Sequence, residues 1–447
     1  MSILPMLRQI ATALVFLALI ASGCQVVRPP FPLGPTPAPG DTTALAPSSV
    51  TLTAAPASTV TPTPAPRRSI TLAMWVPDTL VPPASVTATM VLNQQIAAFT
   101  ASRPDVRVQV LTKRAHGPGG ILDLMQTAAP VAPSALPDVA LLDLASVSLA
   151  VQAGLLRPLN SYVSDEALTD MFPFAEGGHL DERWLAVAYA VDLEHVVYPA
   201  ARASSPPVTW TQVVSGTLMY WFPAGSADGA YDALLAHYVA AGGRWLDASG
   251  QAALDVAALT QMLRQIKEAQ QAGVVSSSVL NFSSPDDTWA AYLKAPAQIA
   301  HVRASRFITP HLVLTGTLAA ALPGYSEPAQ SIARGWAFVV PSRDLSRAPI
   351  AGALVRWLVS AENEGAWTRA ANVLPARRSA FEYWYPPDRH TAFLRRELER
   401  AIQPPPAPVA QIIGPAIQKA VADVLRGQAQ PAEVAAAAAA SVSRTVR

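Results

Sequence analysis

The acidic, aromatic and histidine side chains limit the chemistry open to this chain. Its seven histidines, at positions 116, 179, 195, 237, 301, 311 and 390, form no close pair at metal-ligand spacing, so no metal site is expected. Asp143 and Asp192 come nearest to the two carboxylates that glycoside hydrolysis places around one bond. No nucleophile elbow, metal motif or phosphate-binding loop accompanies them, so neither catalysis nor a cofactor is expected. Asp143 closes the run Pro137-Asp-Val-Ala-Leu-Leu-Asp143, and Trp75 closes Ile70-Thr-Leu-Ala-Met-Trp75. Both sit at the ends of apolar strands, and in open sheets such ends border the ligand crevice. Asp143 equally suits a cap for the helix after it, and Trp75 equally suits a core.

One cysteine, Cys24, occurs in 447 residues, so it has no disulfide partner. Before it come Arg8, an apolar run from Ile10 to Ile20, and the small residues Ala21, Ser22 and Gly23. A bilayer core needs roughly 20 apolar residues, so this run is too short to span and reads as a secretory signal. Small residues before a cysteine resemble the bacterial lipobox, with Ala21 where Leu is commoner. The expectation is a signal peptide over 1–23 and a lipid such as palmitate on Cys24, holding the chain on the extracytoplasmic face of a cell membrane. Residues 24–68 are mostly Pro, Thr, Ala and Ser, as in Thr61-Pro-Thr-Pro-Ala-Pro. That composition cannot bury a core and favours polyproline II, which at about 3.1 Å per residue gives a tether on the order of 100 Å.

Roughly 380 residues remain, more than one core usually serves, so two lobes are expected. The chain is 51% hydrophobic with a net charge of +1 and no basic run, which excludes a nucleic-acid partner. Alternating and helical spacings read as strand, helix, strand, helix, strand from Ile70 to Asp143, the pattern of crossover units and a mostly parallel sheet. A long amphipathic helix follows around Ala252 to Ala272 and is stopped by Gly273. Further strands are expected at Ala297 to Val302 and Gly335 to Val340. Helices are expected at Pro349 to Ala361, Thr391 to Ile402 and Ile412 to Leu425.

The order of these signals resembles the family 1 extracellular solute-binding proteins, the sugar receptors of ABC importers. The likeness runs from about Ser69 to Val442. It is carried by the strand ending at Trp75, the stretch Phe99 to Val110, Pro137 to Asp143, Gly154-Leu-Leu-Arg-Pro-Leu159 and Pro207-Val-Thr-Trp-Thr-Gln212. Gly242-Gly243, Ala272-Gly273 and the tail Gly427 to Ala435 extend it. Two stretches depart from the family pattern, Val187-Ala-Tyr-Ala190 and Val197-Tyr-Pro199.

The resemblance implies an α/β, two-lobed periplasmic-binding-protein-like fold of type II, with hinge-linked lobes. It puts 69–165 and 324–360 in lobe 1 and 166–323 and 361–447 in lobe 2. Crossings are then expected near Tyr162 to Leu168, near Leu322 to Tyr325, and after the helix ending near Glu362. A sugar shows flat apolar faces edged with hydroxyls, so its cleft needs aromatic platforms and polar partners. Trp75 and Trp336 are the expected platforms, with Asp143, Asp192, Trp289 and Arg306 beside them. The implied role is a monomeric receptor that captures a sugar or related small solute and delivers it to permease subunits. A non-transport sensor or scaffold of the same fold and, further off, a secreted glycosidase are the alternatives.

Overall fold

The computed structural model describes residues 69–446, apart from 81–85, 165, 181, 204, 226–231, 342 and 343. The signal segment 1–23, the tether 24–68 and the expected lipid site Cys24 lie outside the described residues.

Two sheets organise the described chain. In the first, β1 (Ile70–Pro77) and β2 (Val106–Lys113) pair in parallel from Ile70 opposite Val106 to Pro77 opposite Lys113. β3 (Val139–Asp143) adds in parallel to the other side of β1. β11 (Arg334–Val339), β6 (Val187–Asp192) and the short β12 (Leu374–Pro375) then each pair antiparallel with the strand before. The order is β12-β6-β11-β3-β1-β2. The second sheet joins β7 (Glu194–Pro199), β8 (Tyr220–Trp221), β9 (Ile299–Arg303) and β10 (Thr317–Ala320) in the order β10-β7-β9-β8. A small hairpin, β4 (His179–Leu180) with β5 (Arg183–Trp184), stands apart.

The expected α/β two-lobed class is present, but the sheets are mixed rather than mostly parallel. The reason lies in the chain path. β11 enters the first sheet at the edge where β3 and β6 leave it, so it must run against both.

The period-two alternation of strand side chains fills both faces of the first sheet. Leu72, Met74, Val139 and Leu141 face one core, with Tyr189, Phe338 and Trp367. Trp75, Ala140 and Leu142 face a smaller one, with Ile121 and Met125. In the second lobe the helix Val256–Gln271 begins at Asp255, whose carboxylate accepts from the Ala258 N–H at 2.8 Å. Leu259, Met262, Leu263 and Ile266 recur at helical spacing and are fully buried. Gly273, at φ +76°, supplies the left-handed residue that ends it. No helix among the described residues is long and apolar enough to cross a membrane.

The cores correct the expected lobe boundaries. The first draws on residues between Leu72 and Leu193 and between Ala333 and Ala401, with Ala304 and Ile308 added. The second draws on residues between Val196 and Ile332 and between Ile413 and Val442. Segments 166–193 and 361–401, expected in lobe 2, therefore pack in lobe 1. β6 lies between β11 and β12, and Trp367, Leu394 and Leu398 bury against the same core. The crossings shift accordingly to Leu193, to Ile332 and Ala333, and to Ala401 and Ile402, where neighbouring residues belong to different cores.

Ile266 is central to the second core, so Ile266→Ala should cost roughly 2–5 kcal/mol through lost burial and a residual cavity. Denaturant unfolding followed by circular dichroism reads this directly, and an unchanged midpoint would deny the helix that role.

Candidate ligand cleft

The carboxyl ends of β1, β2, β3 and β6 and the amino end of β11 share the edge of the first sheet that faces the crossings. Three segments bring side chains together there. β3 ends at Asp143, directly opposite Trp336 of β11 in the register. The turn after β2 carries His116, whose ring stacks on Trp336 with centroids 5.3 Å apart and planes at 29°. His116 Nδ1 lies 3.8 Å from Asp143 Oδ2. The other Asp143 oxygen accepts from the Ala145 N–H at 3.2 Å and caps the turn that follows. Burial pushes the Asp143 carboxyl above its ordinary range, while the charges of His116 and Arg334 pull it down.

Arg334, the first residue of β11, reaches across to the second lobe. Its Nε donates to Asp232 Oδ2 at 2.9 Å, and its terminal nitrogen donates to Oδ1 at 2.7 Å. Asp232 opens the helix Asp232–Ala240, whose next three residues lie in the second core. This two-pronged ion pair therefore joins the lobes beside the hinge. Burial opposes the Arg334 charge, yet Asp232 holds its pKa above the ordinary value.

Behind that pair, buried Glu194 at the start of β7 begins a polar chain into the second lobe. Its Oε2 lies 3.2 Å from His301 Nδ1, and the other His301 nitrogen meets the Tyr220 hydroxyl. The same hydroxyl is 2.9 Å from His237 Nε2. Burial pushes Glu194 up to about 8, with Asp232 adding to the shift, and pushes His301 down to about 3.

The remaining expected residues are placed differently. Trp75, expected as a platform, is 7% exposed in the smaller core of the first lobe, under Lys113. Trp289 is 8% exposed, stacked on Tyr292 and edge-on to Phe307. Both indoles are taken up by packing. Asp192 accepts from the Ser305 hydroxyl and backbone N–H at 2.5 and 3.1 Å, pinning the end of β6 to the short helix Ala304–Phe307. Burial raises its pKa, and the Ser305 bonds oppose that. Arg306 grips Asp286 with two hydrogen bonds of 2.9 Å, which lower the Asp286 pKa. Of the six, the structure brings Asp143 and Trp336 together and leaves the others in packing, hinge or surface pairs.

Sequence reading missed His116, Arg334, Asp232 and Glu194. The run Gly117-Pro-Gly-Gly120 just after a strand was the signal for His116. The histidines scattered in sequence also gather in space, with His390 lying 5.6 Å from His195 and 4.6 Å from His311 between ring centroids. Among the described residues no group of three or more His, Cys, Asp or Glu side chains could hold a metal ion.

Glu194 keeps a proton between about pH 4.5 and 8 that the unfolded chain gives up, so its burial makes stability fall as pH rises through that window. His301 works oppositely: the unfolded imidazole protonates at about 6.5 and the folded one only near 3, so stability falls as pH drops between them. Glu194→Gln should therefore flatten the loss of thermal stability from pH 6.5 to 8 while keeping the acid-side loss. Equal slopes for wild type and variant would refute the assignment.

Comparison with solved structures finds the same architecture at low identity. The cyclic alpha-maltosyl-1,6-maltose binding protein from Arthrobacter globiformis superposes with a TM-score of 0.70 at 17% identity, covering 85% of this chain and 99% of that one. The sugar-binding protein MalE from Xanthomonas citri gives 0.67 at 16%, covering 84% and 98%. An ABC transporter solute-binding protein from Thermotoga lettingae, bound with α-D-tagatose, gives 0.63 at 19%, covering 85% and 100%. A search of curated proteins finds no match. The family model of bacterial extracellular solute-binding proteins matches residues 94–391, two thirds of the sequence. The two cores, the crossings between them and this match agree: the chain belongs to the bacterial extracellular solute-binding proteins.

Proposed function

We propose that this protein is the sugar receptor of an ABC importer, taking a neutral carbohydrate between its lobes and handing it to permease subunits. The observation that carries this is the chemistry of the cleft edge. An aromatic pair, Trp336 with His116, stands next to carboxylates and a guanidinium drawn from both lobes. Such a set suits a ring with an apolar face and hydroxyl edges. The Arg334 charge there is matched by Asp232, and Glu194 is held neutral by burial. A neutral solute leaves that pair intact, whereas an acidic sugar would have to break it. Contacts made to both lobes at once favour the closed arrangement and so couple binding to a hinge motion. The related structures that bind maltosyl compounds and tagatose support a carbohydrate as the ligand class.

On the same reading the chain is a monomer held to the membrane by lipid on Cys24, with residues 24–68 as its tether. A diffusible receptor is lost from a cell without a closed periplasm, and a tether gives two lobes room to open, close and dock.

Two measurements test these points. In a thermal-shift screen with maltose, maltotriose and tagatose, at least one sugar at about 100 times its Kd should add roughly 2.7 kcal/mol of stability and raise the melting temperature. If none does, the sugar assignment fails while the fold stands. Cys24→Ser should move the protein from the membrane fraction to the medium or periplasm. Continued membrane retention would show that the anchor is not a lipid on that thiol.

A further inference from the structure

We infer that His116 is the solute-contacting and selectivity-determining residue of the first lobe, with Trp336 as its backing and Asp143 as its orienting partner. The inference rests on the reading that the cleft takes a sugar, and it changes which surface that sugar meets. Trp336 is half-buried and packs against the first core. The imidazole of His116 lies over the indole, and its own side chain is 59% exposed. The ring presented to the cleft is therefore the imidazole.

The presentation is fixed at the backbone and guided at the ring. The backbone under His116 is a fastened turn: the Ile121 N–H donates to Arg114 O at 3.1 Å, and the Gly120 N–H donates to Gly117 O at 2.9 Å. Gly117 and Gly119 both take positive φ, +73° and +74°, which other residues rarely adopt. The Ala115 N–H adds a bond to Asp78 at 3.1 Å, tying the turn to the end of β1. At the ring, Nδ1 is the nitrogen turned to Asp143. Nε2 is then the nitrogen left for a sugar hydroxyl, with no protein partner among the described residues. Asp143 Oδ2 stands behind the ring at 3.8 Å, longer than a hydrogen bond, so Asp143 acts on His116 as a neighbouring positioning residue that a small ring shift would engage.

Two readouts test this on the full chain. The first needs no ligand: in protein with isotope-labelled histidine, the His116 Cε1–H resonance, assigned by its absence in His116→Gln, should be displaced by the indole ring current. It should return toward the exposed-histidine position in Trp336→Leu. A resonance that Trp336→Leu does not move overturns the inference by itself. The second is calorimetric titration with maltotriose, maltose and tagatose. For whichever sugar binds the wild type, His116→Ala should weaken affinity about tenfold, His116→Gln about threefold and Asp143→Asn about threefold. The relative order of the three sugars should also change in His116→Ala. Affinities and order within twofold of wild type overturn the inference while leaving the sugar reading intact. If none of the sugars binds wild type although the ring-current shift is present, the sugar reading falls and this role of His116 falls with it.

Discussion

Every feature of the cleft depends on how the chain passes between the two cores. The passing strands are laced side by side. The Ala304 N–H donates to Leu193 O at 2.8 Å, and the Ser331 hydroxyl donates to Glu194 O at 2.6 Å. The Ile402 N–H donates to Ser331 O at 3.0 Å, and the Ala333 N–H donates to Ile402 O at 2.9 Å. Four segments far apart in sequence thus form one hydrogen-bonded strap. Buried backbone groups must be paired, so the strap resists separation of its members while permitting small rotations within them. That fixes the residues on either side of it: Asp192 at the end of β6, Glu194 at the start of β7 and Arg334 at the start of β11.

From that constraint the electrostatics follow. Asp192, Glu194 and Arg334 are drawn close to the boundary between two apolar cores, where an unpaired charge is costly. Each is accommodated differently. Asp192 accepts two hydrogen bonds from Ser305, Arg334 reaches Asp232 of the other lobe, and Glu194 is pushed toward its neutral form beside His301. The result is a boundary between the two cores whose polar groups are paired or neutral. The aromatic wall is set by strand pairing: because β11 runs against β3, Trp336 falls opposite Asp143, and the turn after β2 brings His116 over both.

Local pattern carried much of the secondary structure. The buried strand ending at Asp143, the helix Val256–Gln271 with its stop at Gly273 and the strand around Trp336 were legible because alternation, helical spacing and glycine act within a few residues. The family likeness was legible for the same reason, as an ordered series of short signals. The cleft was legible only in part. Asp143 and Trp336 stood out as residues at strand ends, but nothing local distinguished Trp336 from Trp75 or Trp289. Whether an indole at a strand end turns to a core or to a cleft depends on what covers that face. For Trp75 the cover is a helix bringing Ile121 and Met125.

The sequence by itself determined the composition of the parts: a lone cysteine after a short apolar run, a proline-rich stretch, and enough apolar residues in strand and helix periods for two cores. Tertiary structure alone decided which core each part joined. β6 and the segment 361–401 carry apolar residues that satisfy either lobe, and only pairing with β11 and packing around Trp367 assigns them to the first. The same holds for the charges. Arg334 and Asp232 are 102 residues apart and meet because the strap brings two lobes edge to edge. Side-chain type and spacing are local properties, whereas burial and partner choice belong to the whole folded chain.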